Sequence, residues 1–511
     1  MAKHTKKMNS ADRDRLEIEK NNPLTKPLLH EGHGRPTTRR DFLSTGLLSF
    51  SGLMMAPSIL SVLARPNFAL AASADGCDVV AATRLPAFVN VNLSGGAALS
   101  GNVAMLNQAG DPLPSYSQLG QGPDAAQFFT TDFQGVTFHG VRNGRLSSQF
   151  LAGVQNTAAD ATRAKTSFLT VAVPLGDDTG NNQIDPTGLI TAAGLTGDIL
   201  PKMGTRGTAT GVNQMAAKMS PPAPLVVQNI NDLTGALSPA SSLTTKLTVD
   251  QRKSLLRLVS NLSGTQAREV ASSNSSSGTA LSKLVQCATD KNIELSTNPN
   301  PGIDPRQDAN KAMSNLWQME TGNNNPVFGQ NTNNRVVMGS MVYNALKGNS
   351  GAIGLELGGY DYHGNNRVNV QDARDFTAGQ LVGQILQSAA TMNQKVFITV
   401  TSDGSVGAGG GAAAGADFTG DRGSGGAQYI LAFDPAGRPA MRNPSSGAKH
   451  QLGWYNNGQG AVDTSLTGSA EQAGIATFAN YLAFAKQSSL LDKVLPRQYT
   501  QSELEYILRF A

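Results

Sequence analysis

The strongest constraint on this chain is a strand–helix–strand succession in its last third. Ala352–Leu357 is a nearly uncharged apolar run. Residues 371–392 then place Ala373, Phe376, Ile385 and Ala389 among the apolar positions of a long helix, and Val396-Phe-Ile-Thr-Val-Thr401 is again an apolar strand. A helical period between two apolar strands predicts a βαβ crossover, which builds a parallel sheet with helices on its faces. Further strands are expected at Pro86–Leu93, Val136–Phe138, Ser167–Val173 and Tyr429–Phe433, and further helices at Gln149–Val154, Asn334–Lys347, Glu471–Lys486 and Gln501–Phe510.

The expected fold class is therefore α/β: a largely parallel central sheet covered by helices, forming one large domain over residues 72–511. Between about 176 and 330 the chain is rich in Gly, Pro, Thr and Ala and then in helical signals, so a helical and loop-rich insertion is predicted there. Its markers are a capping box at Thr248-Val-Asp-Gln251, a Ser-rich linker at 272–278, a helix at 280–291, and Asp304-Pro305 opening a helix to about Glu320. With 39% hydrophobic and 15% charged residues, the 511-residue chain has ample core material and is not a charged disordered polymer. Aromatic residues at 6% are too sparse for a nucleic-acid stacking surface.

The formal charge of +4 sits at the N-terminus. Residues 1–71 hold 11 Lys/Arg against 6 Asp/Glu, leaving 30 basic and 31 acidic residues in the remainder. No basic footprint for nucleic acid or an anionic membrane remains there. Thr38-Arg39-Arg40-Asp41-Phe42-Leu43 matches a twin-arginine export signal. The stretch that follows is diluted by Gly46, Gly52, Pro57 and serines, too weakly hydrophobic for a permanent transmembrane anchor, and Ala69-Leu70-Ala71 offers a cleavage site. The expected partner during export is the twin-arginine translocase, and the expected location is periplasmic or secreted. Only Cys77 and Cys287 carry thiols; a disulfide between them and two unpaired cysteines both stay open.

Ligand sites in open α/β sheets lie beyond the carboxyl ends of strands. Gly358-Gly359-Tyr360-Asp361-Tyr362-His363-Gly364-Asn365 follows one such strand, and Asp361 and His363, two residues apart, can ligate one divalent metal (Zn, Mg or Ca). Asp403 follows the next strand, in Thr401-Ser402-Asp403-Gly404-Ser405. Asp421-Arg422 precedes the last strand, after a Gly/Ala run at Val406–Ala416. A separate oxygen-rich segment, with Asp177, Asp178 and Asn181 and with Asp185 beyond, resembles a secondary cation loop without the EF-hand spacing. After cleavage only His139, His363 and His450 remain, a thin supply for a two-metal hydrolase. No P-loop, G-x-S-x-G, H-E-x-x-H or C-x-x-C occurs.

The twin-arginine leader, a first strand ending in Gly-Gly, the segment LELGGYDYHGN, a long helix and a strand ending VTSDG together resemble a bacterial exported family of unknown function. That family is related to the alkaline phosphatase and sulfatase superfamily, and its corresponding segment reads Gly-Gly-Trp-Asp-Thr-His-x-x-Gln. The resemblance implies an alkaline-phosphatase-like fold, Asp and His metal ligands at strand ends, and a Ser or Thr nucleophile. Asp361 and His363 match the family's Asp-x-His, while Asp403 stands where relatives carry an Asp-His pair and Gly404 replaces that His. The first-strand carboxylate is missing in Gly95-Gly96-Ala97-Ala98, and Asp421-Arg422-Gly423 puts Arg where relatives have His. Ser100 is the hydroxyl nearest the nucleophile position. Two functions are implied: a non-catalytic binding or envelope-associated module with a degraded metal site, or a single-metal phosphate or sulfate ester hydrolase. The hydrolase would use Asp361, His363 and Asp403, with Arg422 replacing a lost cation by bidentate anion binding.

Overall fold

The computed structural model describes most of residues 85–511. Residues 1–84, 176–184, 206–223, 238–247, most of 249–301, parts of 196–199, 321–330 and 406–423, and 365–366, 445–446, 463–465 and 496–497 lie outside the description. Arg39, Arg40, Cys77, Asp177, Asp178, Asn181, Cys287, Asp421 and Arg422 are therefore not described, nor is the side chain of Asp403.

The chain is α/β around one eight-stranded sheet. Its strands are β1 (Ala87–Gly96), β2 (Thr166–Ala172), β3 (Leu200–Gly204), β4 (Leu225–Val226), β5 (Ser350–Leu357), β6 (Val396–Gly404), β7 (Ala427–Phe433) and β8 (Gln451–Leu452), in the spatial order β8-β2-β7-β6-β1-β5-β3-β4. β1 is central and pairs in parallel with β5 on one side and β6 on the other. β5–β3, β3–β4 and β2–β8 are also parallel, so only β7 runs against its neighbours.

β1 is buried on both faces, as a central strand under two helical layers must be. Val89, Val91 and Leu93 face a core shared with α1 (Gln149–Thr157), α2 (Thr332–Leu346) and α3 (Asp372–Thr391). Phe88 faces the opposite core, where α4 (Ala470–Phe484) and α5 (Gln501–Ile507) close the chain. α3 is the crossover between β5 and β6 and lies against α1 through glycine. A Cβ on Gly379 would overlap the carbonyl of Phe150, and one on Gly153 would press on the backbone of Gln380. Among the described residues no helix is long and apolar enough to cross a membrane.

Two expectations need correction. The segment 176–330 is not only a helical and loop-rich insertion, because it supplies β3 and β4, which extend the sheet beyond β5. The helix expected from Asp304 to Glu320 is broken. Asp304 does cap, accepting the Arg306 N–H at 3.0 Å with Pro305 in the first turn, but only a 3-10 turn at Pro305–Gln307 and a short helix at Ala312–Leu316 form. Lys311 separates them at φ 50°, in the left-handed region where a helix cannot continue. At Thr248 the expected capping box is present, its N–H reaching Gln251 Oε1 at 2.9 Å and the Gln251 N–H reaching Thr248 Oγ1 at 3.3 Å.

Candidate functional site

The loop after β5 is built by alternation. Tyr360 and Tyr362 are 1% and 0% exposed, whereas Asp361 and His363 keep about half of their side-chain surface, at 48% and 51%. In extended backbone residues i and i+2 share a face, so the two tyrosines enter the core while Asp361 and His363 emerge together. There Asp361 Oδ1 and His363 Nδ1 are in direct contact.

Three close approaches hold this loop against the carboxyl end of the sheet. Gly95, at φ 117°, lies so near Asp361 that a Cβ would stand 2.7 Å from its Cα. The Tyr360 N–H donates to the Ser94 carbonyl at 3.1 Å, and the Gly364 N–H to the Phe418 carbonyl at 3.0 Å. The ends of β1 and β6 are joined as well: Gly96 pairs with Gly404, the Ala97 N–H donates to Ser402 Oγ at 3.1 Å, and that hydroxyl reaches the Gly95 carbonyl at 2.7 Å. The turns singled out after the first, fifth and sixth strands thus meet at one edge at the level of the backbone.

The tyrosines moor the loop to the start of α3, which follows a π-helical turn at Arg367–Gln371. Tyr360 donates to the Arg374 carbonyl at 2.8 Å, and Tyr362 donates to Asp375 Oδ1 at 3.0 Å. Asp375 is fully buried, and its Oδ2 accepts from Asn102 Nδ2 at 2.6 Å and from Gln371 Nε2 at 2.9 Å. Burial pushes the Asp375 carboxyl up to about 6, against the opposing pull of Arg367 and these hydrogen bonds. Arg367 is itself buried; it pairs with Asp372 at 3.3 Å and donates to the Ser147 carbonyl at 2.6 Å. His139 lies in the same layer, its ring edge-on to Tyr116. Burial and then the Arg367 charge push it down to about 3, so it is neutral. Sequence reasoning missed Asn102, Arg367 and Asp375 as parts of the site. The available signal was the Tyr-Asp-Tyr-His alternation, which requires something buried for the tyrosine hydroxyls to meet.

The other candidates with described side chains are dispersed. Ser100 lies in a 3-10 turn after β1, is 0% exposed, and donates its hydroxyl to the Gly425 carbonyl. Asp185 is buried beside Lys202, with Oδ1 accepting the Thr187 N–H at 2.9 Å, and burial pushes it up to about 6. It is thus a core carboxyl under the short helix Thr187–Ala192. His450 Nδ1 meets the Phe168 carbonyl at 3.1 Å beside β2, and burial lowers its pKa. A separate crevice of about 380 Å³ opens beyond β5, β3 and β4, with Val227, Val337 and Met338 as its apolar lining and Thr205, Asn334 and Glu356 as its polar lining.

Among the described residues the donors gathered here are one carboxylate and one imidazole, too few for a two-metal hydrolytic centre. Among the described residues no three His, Cys, Asp or Glu side chains converge as a metal site. The Asp361–His363 contact is made through the Nδ1 edge of the ring. The arrangement is that of a carboxylate orienting a half-exposed imidazole at the carboxyl edge of the sheet. The chain matches no family model, no curated protein and no solved structure with which it was compared.

Proposed function

We propose that the protein is an exported, non-catalytic binding module of alkaline-phosphatase-like architecture, acting in the periplasm or at the envelope, with its metal centre degraded. The observation that carries this reading is Ser100. The hydroxyl nearest the nucleophile position is fully buried and committed to a backbone carbonyl, next to buried Ala97 and Ala98 where the resemblance expects a carboxylate. A nucleophile must instead be exposed to substrate and activated by a base or metal. In this reading the Asp361–His363 dyad remains as a ligand-binding pair at the carboxyl edge of the sheet, and the twin-arginine leader delivers the folded chain.

A single-metal phosphate or sulfate ester hydrolase is the second reading, favoured by the carboxylate contact that orients His363. Protein recovered from the periplasm is analysed for zinc, magnesium and calcium, then assayed with aryl phosphate and aryl sulfate esters in the presence of each. The binding-module reading expects substoichiometric metal and no turnover above the blank. Stoichiometric metal with turnover that Asp361→Ala abolishes would overturn it.

A further inference from the structure

We infer that the crevice beyond β5, β3 and β4 is a binding site for a small neutral amide that carries an aliphatic group, such as the peptide unit of an apolar residue. This goes beyond the proposed reading, because the crevice shares no side chain with the Asp361–His363 dyad and borders its loop at Gly358.

The crevice stands where an open α/β sheet holds ligands. β4, β3 and β5 run parallel, and Val227, Thr205 and Gly358 are the residues that directly follow them, so three carboxyl ends open onto one space. α2 leads into β5, and its first turn brings Asn334 to the same edge. At about 380 Å³ the space falls within the range of about 300–1,000 Å³ common to small-molecule sites.

Its walls are fixed by the backbone. The Val227 N–H donates to the Gly204 carbonyl at 2.9 Å, the Thr205 N–H to the Gly354 carbonyl at 3.0 Å, and the Glu356 N–H to Thr205 Oγ1 at 2.9 Å. Asn333 Nδ2 reaches the Gln228 carbonyl at 3.1 Å and ties the first turn of α2 to the end of β4. Asn331 Oδ1 caps the helix by accepting the Asn334 N–H at 3.1 Å. These bonds leave the carboxamides of Gln228 and Asn334 unused, and neither carboxamide makes another hydrogen bond among the described residues.

The lining selects the chemistry. Val227, Val337 and Met338 are 1%, 4% and 5% exposed and form its apolar side. Among the described residues no Lys, Arg or His lines the space, and the charged group that does is the Glu356 carboxylate, so a phosphate or sulfate finds no counter-charge there. A carboxamide offers two donors and one acceptor oxygen. Gln228 and Asn334 together can therefore pair with both the C=O and the N–H of an amide, while an aliphatic group displaces water from the three apolar side chains. An amide removed from water without such partners is costly to bury, which is what the two carboxamides offset.

The test is a titration of the full chain labelled with ¹⁵N, followed by NMR on the side-chain amide signals of Gln228 and Asn334, which are assigned through Gln228→Leu and Asn334→Leu. N-acetyl-leucinamide should shift both signals saturably at millimolar concentration. N-acetyl-glycinamide keeps the amides and lacks the aliphatic group, and should bind about tenfold more weakly. Gln228→Ala, a change at an exposed position, should weaken N-acetyl-leucinamide by about threefold or more, read on the Asn334 signal. Inorganic phosphate should leave both signals in place.

Signals unmoved by N-acetyl-leucinamide up to its solubility overturn the inference, as does equal affinity for the two diamides or unchanged affinity in Gln228→Ala. A response of these signals to phosphate overturns it too, because the crevice would then be an anion site. The readout involves neither metal nor ester turnover, so this inference and the binding-module reading stand or fall separately.

Discussion

Replacing Asp375 by asparagine should remove a pH dependence of stability whose size follows from the burial of that carboxyl. In the folded protein its pKa is raised from the ordinary 3.8 to about 6, so the native state holds a proton that the unfolded chain has released. The associated stabilisation is fully present below 3.8 and is lost as pH rises through 6. The full shift corresponds to about 3 kcal/mol. By the linkage relation about 1.3 kcal/mol of it is gained between about pH 7 and about pH 5. His139 acts in the opposite sense, since its depressed pKa makes acid favour the unfolded chain, but it is present in both proteins and drops out of their difference. Urea unfolding of wild type and Asp375→Asn at the two pH values measures that difference directly. The stability of the wild type over the variant should grow by about 1.3 kcal/mol on acidification. A difference that stays constant or shrinks would refute the placement of Asp375 as a desolvated, titrating carboxyl.

Gly95→Ala should destabilise the protein by about 3 kcal/mol, combining strain at φ 117° with a clash against the Asp361 backbone, and thermal unfolding reads the loss. A change below about 0.5 kcal/mol would mean that the two segments do not touch. His139→Phe should flatten the acid limb of the stability profile. A base depressed from 6.5 to about 3 contributes stability at neutral pH that is lost as pH falls through that window, about 2 kcal/mol of it by about pH 5. Urea unfolding of this variant from neutral to acid pH shows whether the wild type loses more than the variant does.

Much of the sheet was legible because its strands carry their own pattern. Pro86–Leu93, Ser167–Val173, Ala352–Leu357, Val396–Thr401 and Tyr429–Phe433 all fall within observed strands or a residue or so outside them. They are short runs rich in Val, Ile, Leu and Phe, and burial on both faces leaves little else for such runs to be. Leu200–Gly204 was not legible. Its sequence, Leu-Pro-Lys-Met-Gly, has neither alternation nor β-branched residues, and it becomes a strand by pairing with β5. The direction of β7 was equally silent, because an apolar strand reads the same in either orientation. The break at Lys311 escaped the capping signals, which locate where a helix starts but not how far it runs.

For the site, the chain alone determined that Asp361 and His363 share a face after a strand, since spacing in extended backbone is a local property. It also determined that Gly95-Gly96-Ala97-Ala98 supplies no carboxylate and that positions 404 and 422 supply no histidine. Tertiary structure decided the rest. It put the dyad's two side chains on each other, turned the Ser100 hydroxyl to Gly425, and brought Asn102, Tyr362, Gln371 and Asp375 to one buried point from positions as far apart as 273 residues. Those contacts depend on how β1, β5 and α3 pack, and the charge state of a carboxyl depends on the water that packing excludes. Neither quantity exists until the layers close.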